Sequence, residues 1–314
     1  MFRKLLVPLD RSPLAEQALG QAVAIARAAH AGIDLVLVHQ PMTLGGFGDA
    51  PWNAEQLDAE QKYLQSIAGQ LAAAASVPVT SAVLHGEAIE MISRRATEVV
   101  ADLVVMTSHG RTGFSRAWMG SIADGVLRHV PVPVLLLRAA EPRADRFAAV
   151  PPFRRILVPV DGSSLAMEML TSAAALARCS DARMTLLRVV HPVPIMTVDI
   201  DVATGIGAGM PFGHALQPED VIATGQLVRE VKGTLADTAQ QLMEREGIVV
   251  DHLVIVSSHV AQAILDFAGA HDVSLIAMST HGRGVSRLLV GSVADKVIRG
   301  SGVPVMLQRP LEAV

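Results

Sequence analysis

A chain of 314 residues with 51% hydrophobic residues but only 3% aromatics has length for about two domains. Its cores must be built from Ala, Val, Leu and Ile, which excludes general disorder and favours sheets covered by alanine-rich helices. A net charge of −4 with both signs scattered provides no basic stripe for nucleic acid or an anionic membrane surface.

The lone Cys179 allows no intrachain disulfide and no cysteine-based metal site, which points to a reducing compartment. The opening MFRKLLVPLD meets a proline and an aspartate too soon for a signal-peptide apolar region. No apolar run approaches the roughly 18–20 residues of a membrane helix. A cytoplasmic location without membrane contact is the expectation.

In chain order, Lys4–Asp10 (KLLVPLD) reads as a buried strand ending in a carboxylate. Ser12 and Pro13 open a helix as N-cap and first helical residue, and the helix is expected to stop near Gly32 as its C′ glycine. A second strand follows at Asp34–His39, a loop at Pro41–Asn53 and a long helix at Ala54–Ala75. A third strand covers Val77–Leu84, and His85-Gly86 turns into a helix over Glu87–Val100. A fourth strand, Leu103–Met106, runs into a glycine loop, then a helix at Ser121–Val130 and a fifth strand at Pro133–Leu137.

Residues 139–152 are charged and proline-rich with no clear period, and read as a linker. The pattern then restarts. Arg155–Asp161 (RILVPVD) repeats the first strand 151 residues on, with further strands at Met184–Val190, Val249–Val256, Leu275–Met278 and Val303–Leu307. Helices are expected over Val221–Glu246 and Val260–His271. The expected division is a first domain over residues 1–140, a linker over 141–152, and a second domain over 153–314 with a long insertion at about 191–220. Strands alternating with helices, twice, imply two doubly wound α/β domains with parallel sheets and ligand crevices at the strand carboxyl ends.

Both aspartates, Asp10 and Asp161, fall on that edge, and so do both glycine loops. The first loop reads Thr107-Ser108-His109-Gly110, nine residues, then Gly120-Ser121. Gly110 permits a positive φ and close approach of a phosphate. Gly120 removes a Cβ from the helix mouth, Ser121 offers a hydroxyl and an N–H where the helix dipole favours negative charge, and Arg111 can screen phosphate charge. Asp10 is placed to accept from a ribose hydroxyl or an adenine-side donor. The plainer alternative is that the glycines only make turns and that Asp10 only supports a helix cap.

The strand ends VPLD and VPVDGS, and the loops SHGRTG…GSIAD and THGRG…GSVADKV with their following PVPV and VPVM strands, resemble the universal stress protein family in its tandem form. The resemblance covers nearly the whole chain twice. It implies two tandem doubly wound parallel five-stranded sheets of the adenine nucleotide α-hydrolase-like, Rossmann-like kind. It also implies ATP as ligand, with which Mg²⁺ can arrive. By the resemblance, Pro8, Leu9, Asp10 and the backbone of Gln40 would hold the adenosine, and Gly110, Gly120, Ser121 and Ile122 the phosphates. The second set is Pro159, Val160, Asp161 and Val189, then Gly282, Gly291, Ser292 and Val293. Thr107, His109, Arg111, Ser279 and Arg283 adjoin these positions. Family pairing through the last strand implies that the two domains pack as a pseudo-dimer, and that last-strand pairing is a route to a homo-oligomer.

Two departures bear on binding. The first glycine of the family's G-x-x-G is Thr107 in one repeat and Ser279 in the other. The second loop has eight residues, not nine, between Gly282 and Gly291, a deletion expected to tighten or redirect it. The first site is therefore expected to be the better of the two.

His109 and His281 adjoin the phosphate glycines, but no positioned water or second base is visible, so loop hydrogen bonding is their expected role. No HExxH pair, P-loop GxxxxGK[ST] or SGGxDS-type loop occurs. GIGAGMPFG at residues 205–213 lacks dinucleotide spacing and reads as loop, with a lid over the second crevice as one role for it. No dedicated metal site and no catalytic residue is assigned. The resemblance implies an ATP-binding stress-response regulator, with a nucleotide-free interaction module or a slow ATP hydrolase as the alternatives.

Overall fold

The computed structural model describes residues 2–40, 51–108, 119–138, 146–147, 150, 153–192, 218–280 and 291–309. The first half runs β1 (Lys4–Leu9), α1 (Pro13–Glu16), α2 (Ala18–Ala29), β2 (Gly32–His39), α3 (Pro51–Ala75), β3 (Val79–His85), α4 (Ala88–Glu98), β4 (Leu103–Thr107), α5 (Ser121–His129) and β5 (Val134–Leu137). The second half repeats the order with β6 (Arg155–Pro159), α6 (Ser164–Ser180), β7 (Arg183–Val190), α7 (Pro218–Glu246), β8 (Val250–Val256), α8 (Val260–Ala270), β9 (Leu275–Ser279), α9 (Ser292–Gly300) and β10 (Val305–Gln308).

The expected elements are present, but the two sheets are not separate. They form one ten-stranded sheet in the order β3-β2-β1-β4-β5-β10-β9-β6-β7-β8. Pairing within each half is parallel, and β5 joins β10 antiparallel, with Val134 opposite Leu307 and Leu136 opposite Val305. The expected pseudo-dimer is thus formed through the last strands inside one chain. That corrects the expectation of a homo-oligomer made by last-strand pairing: β5 and β10 each have a neighbour on both sides, so neither remains as an edge. The sheet's outer edges are β3 and β8.

Continuous apolar strands sit at the centre because both faces are covered. One core layer, with Leu5, Leu19, Leu35, Leu64 and Leu71 at 2% exposure or less, continues through Leu176 and Leu186 of the second half. The opposite layer joins Val104, Val126 and Leu136 to Ile276, Val297 and Leu307. Helices α1, α2, α3, α6 and α7 contribute to the first layer, and α4, α5, α8 and α9 to the second.

Two helix ends differ from expectation. The left-handed residue that closes α2 is His30, φ 54°, and not Gly32. Gly32 is already the first residue of β2, paired with Lys4, and its N–H donates to the Arg3 carbonyl at 2.9 Å. Asp181, φ 51°, closes α6 in the same way. Pro51 begins α3 within the stretch expected as loop.

Candidate functional site

In each half the chain reverses direction across the sheet between its first and fourth strands, leaving a crevice at their carboxyl ends. The β1–β4 ladder consists of Leu5 with Leu103 and Leu6 with Val104, and it stops two residues before Pro8. Pro8 has no N–H to donate to a ladder. On its other side β1 stays paired with β2 through Leu9. The second half repeats this, with Ile156 and Leu157 paired to β9 and Pro159 beyond them.

Asp10 and Asp161 stand at the mouth of these crevices, and each supports a helix cap. Ser12 donates to Asp10 Oδ1 through its N–H at 2.9 Å and its hydroxyl at 2.6 Å, and Ser12 Oγ accepts from the Ala15 N–H at 3.1 Å. Ser163 does the same with Asp161 Oδ1 and the Ala166 N–H. The plainer reading of these aspartates therefore describes a real part of their work. Between aspartate and serine the backbone turns left-handed, at Arg11 (φ 67°) in one half and Gly162 (φ 76°) in the other.

The helices across the crevice start differently. Gly120 and Gly291 are the N-caps of α5 and α9, and neither helix has a side-chain cap. The first intrahelical bonds run from Asp124 to Gly120 and from Asp295 to Gly291. The N–H groups of Ser121, Ile122 and Ala123, and of their counterparts, therefore have no intrahelical acceptor. Gly120 has φ −61°, a value open to any residue, so its use here is the space left by a missing side chain. Ser121, Ile122 and Ser292 are exposed.

The shortened second loop keeps the same frame. Gly120 N–H donates to the Ser108 carbonyl at 2.8 Å, and Gly291 N–H to the Thr280 carbonyl at 2.7 Å. Ser108 and Thr280 in turn donate to Leu137 and Gln308, each at 2.9 Å. Despite the deletion, both helix starts are anchored by the same pair of bonds. Thr107 and Ser279 are the last, buried residues of β4 and β9. In an extended strand neither position needs a glycine's φ. His109, Gly110, Arg111, Gly282 and Arg283 lie outside the described residues, as do His281 and the 205–213 segment.

Strand register corrects one pairing of site residues. Pro8 lies opposite Val36, and Pro159 opposite Leu187. Val189 therefore corresponds to Val38, while Gln40 corresponds to His191. Gln40 and Val189 are therefore not equivalent positions in the two halves. Pro8 and Leu9 end β1, Pro159 ends β6 with Val160 next in the chain, and Val293 lies in the first turn of α9.

The first crevice has a polar neighbour that the sequence reading missed. His39 ends β2, and its Nδ1 lies 2.7 Å from Glu60 Oε2 of α3, with both side chains 3% exposed. Gln56 donates to Glu60 Oε1 at 3.0 Å. Strand β3 pairs Thr80 with Asp34 where β8 pairs Asp251 with Thr185. Carried along α3 and α7, that offset sets Val231 against Glu60, and Val190 takes the place of His39. An aligned repeat would have exposed this difference.

Among the described residues no group of three or more His, Cys, Asp or Glu could hold a metal ion, and no helix is long and apolar enough to cross a membrane.

Together these features define a tandem, doubly wound α/β protein with a Rossmann-like, adenine nucleotide α-hydrolase-like fold. The chain belongs to the universal stress protein family, whose model matches residues 1–138 and again 152–309. A universal stress protein of Mycobacterium tuberculosis is 32% identical over 138 residues, 42% of this chain and 44% of that relative. The chain thus matches less than half of that relative's length. One from Mycobacterium bovis is 26% identical over 242 residues, 74% of this chain and 65% of the relative. The crystal structure of a universal stress protein from Archaeoglobus fulgidus matches 98% of both chains with a TM-score of 0.67 at 20% identity, a likeness of fold.

Proposed function

We propose that this protein is an ATP-binding stress-response regulator, holding adenine nucleotide in one or both crevices as ligand or slow substrate. The observation that carries the reading is the contrast between helix starts on the same sheet edge. Helices α1 and α6 close their own N-termini with Ser12 and Ser163, whereas α5 and α9 begin at bare glycines. A helix start left open beside a crevice suits a phosphate. On the adenosine side we assign Pro8, Leu9, Asp10 and Gln40, with Pro159, Val160, Asp161 and Val189 in the second half. The phosphate side is Gly110, Gly120, Ser121 and Ile122, with Gly282, Gly291, Ser292 and Val293. Mg²⁺ would arrive with the triphosphate. Each matched segment is taken as one domain, and the setting as cytoplasmic.

The test is to purify the protein without added nucleotide, denature it, and identify and count released nucleotide by mass spectrometry, followed by ATP titration. One nucleotide per chain supports a single working site, and two support both. None, together with a failed titration, sinks the reading. Gly120→Val should abolish binding in the first crevice while leaving the fold; unchanged affinity would remove the assigned pocket. A second reading, a nucleotide-free interaction module, is favoured by the buried Thr107 and Ser279 side chains and by the engagement of both aspartates with cap serines.

A further inference from the structure

We infer that Arg309 and Arg138 are positioning residues by which each half of the chain completes the other half's crevice. The inference rests on the nucleotide reading above. Because β5 and β10 are antiparallel, the carboxyl edges of the two halves lie on opposite sides of the sheet. Helix α5 begins at the first crevice and, at about 1.5 Å per residue over nine residues, ends about 13 Å away, toward the edge that bears the second crevice. Helix α9 runs the reverse course.

The arginine that follows each last strand meets the end of the opposite half's helix. Arg309, directly after β10, donates from Nη1 to the Arg128 carbonyl in the last turn of α5 at 2.6 Å. Arg138, directly after β5, donates from Nη1 to the carbonyl of Ser301, the C-cap of α9. The last carbonyls of a helix have no partner of their own, and a cation there complements the dipole whose other end faces the anion.

The helices also feel each other across the junction. Arg128 bonds Asp124 at 2.8 and 2.9 Å, and Arg299 bonds Asp295 at 2.9 Å. Those bonds raise each arginine's pKa, and the aspartate of the opposite helix adds a smaller push in the same direction. In this arrangement Arg309 holds the far end of α5, and so sets where the N–H groups after Gly120 point. The two halves thus contribute to a phosphate site in trans along one chain. The sequence signal was present but unused: the arginines follow their strands at the same spacing that separates Gly120 from Gly291.

The experiment compares ATP with adenosine, which lacks phosphate, by calorimetric titration. The parent carries Gly291→Val, so that only the first crevice is read. Arg309→Met in that parent should weaken ATP by about two- to fivefold, the range of a helix-terminal charge, with adenosine unchanged and Arg309→Lys restoring ATP binding. A thermal melt of each variant checks folding, and a merely structural role would lower both ligands in proportion. Proportional loss, or no change in the ratio of affinities, overturns the inference. A parent that binds neither ligand, like the unsubstituted chain, overturns the nucleotide reading and this inference with it. The mirror experiment uses Arg138→Met in a Gly120→Val parent to read the second crevice.

Discussion

Tyr63, the chain's one tyrosine, reports on the joint between the halves. Its hydroxyl donates to Glu16 Oε1 at 2.7 Å, and Arg146, from the segment between the halves, donates to Glu16 Oε2 at 2.6 Å. Burial comes first in pushing the phenol's pKa up, followed by the hydrogen bond to Glu16 and the charge of Glu16. A phenol raised above its unfolded value of about 10 favours the fold while it keeps its proton. That contribution is complete below about pH 10 and declines as pH rises toward the folded value. A spectrophotometric titration should therefore show tyrosinate appearing only with the loss of the fold. Ordinary ionisation near pH 10 in the folded chain would refute the environment assigned to Tyr63. At the same scale, Arg11 shows how little one residue type reveals. It holds the left-handed turn that Gly162 holds in the other half, and an arginine gives no hint of a positive φ.

At the scale of elements, the two halves form an internal control on the buried pair His39–Glu60. The fold accepts Val190 and Val231 at the same places, so the pair is not needed to build a sheet edge against a long helix. Removing one member leaves the other buried without its partner, and the cost expected for either His39→Val or Glu60→Val is about 3–5 kcal/mol. The double substitution copies the second half and should return most of that loss. A double-mutant cycle by chemical denaturation measures the coupling, and additive losses would mean that the two side chains act independently. Helix caps follow similar logic. Ser12-Pro13 was legible as a helix start because cap chemistry is local. The open starts of α5 and α9 were legible only as glycine followed by serine, and what they face depends on strands distant in sequence.

For the whole molecule, the central event is the joining of β5 to β10. Val134, Leu135, Leu136 and Leu137 are at most 7% exposed, in part because the second half lies against them. The first half expressed alone, residues 1–140, would present β5 as an apolar edge strand. It should associate through that edge, giving a dimer or aggregate in size-exclusion chromatography with light scattering. A stable, dilute monomer would show that the edge is not the sticky surface its burial suggests.

What the sequence determined by itself was the part governed by local rules and repetition. Alternating strands and helices, the doubling of VP-x-D strands and glycine loops, and cap residues such as Ser12 carried the fold class and the tandem plan. What only the tertiary structure decided were relations between distant segments. These are the merging of two sheets into one, the opposite facing of the crevices, the alignment of Val189 with Val38, and the crossed contacts of Arg138 and Arg309. The physical reason is that hydrophobic period and cap chemistry act over a few residues. Strand register and strand order are set by pairing between segments, here Val134 with Leu307, whose separation leaves no local trace.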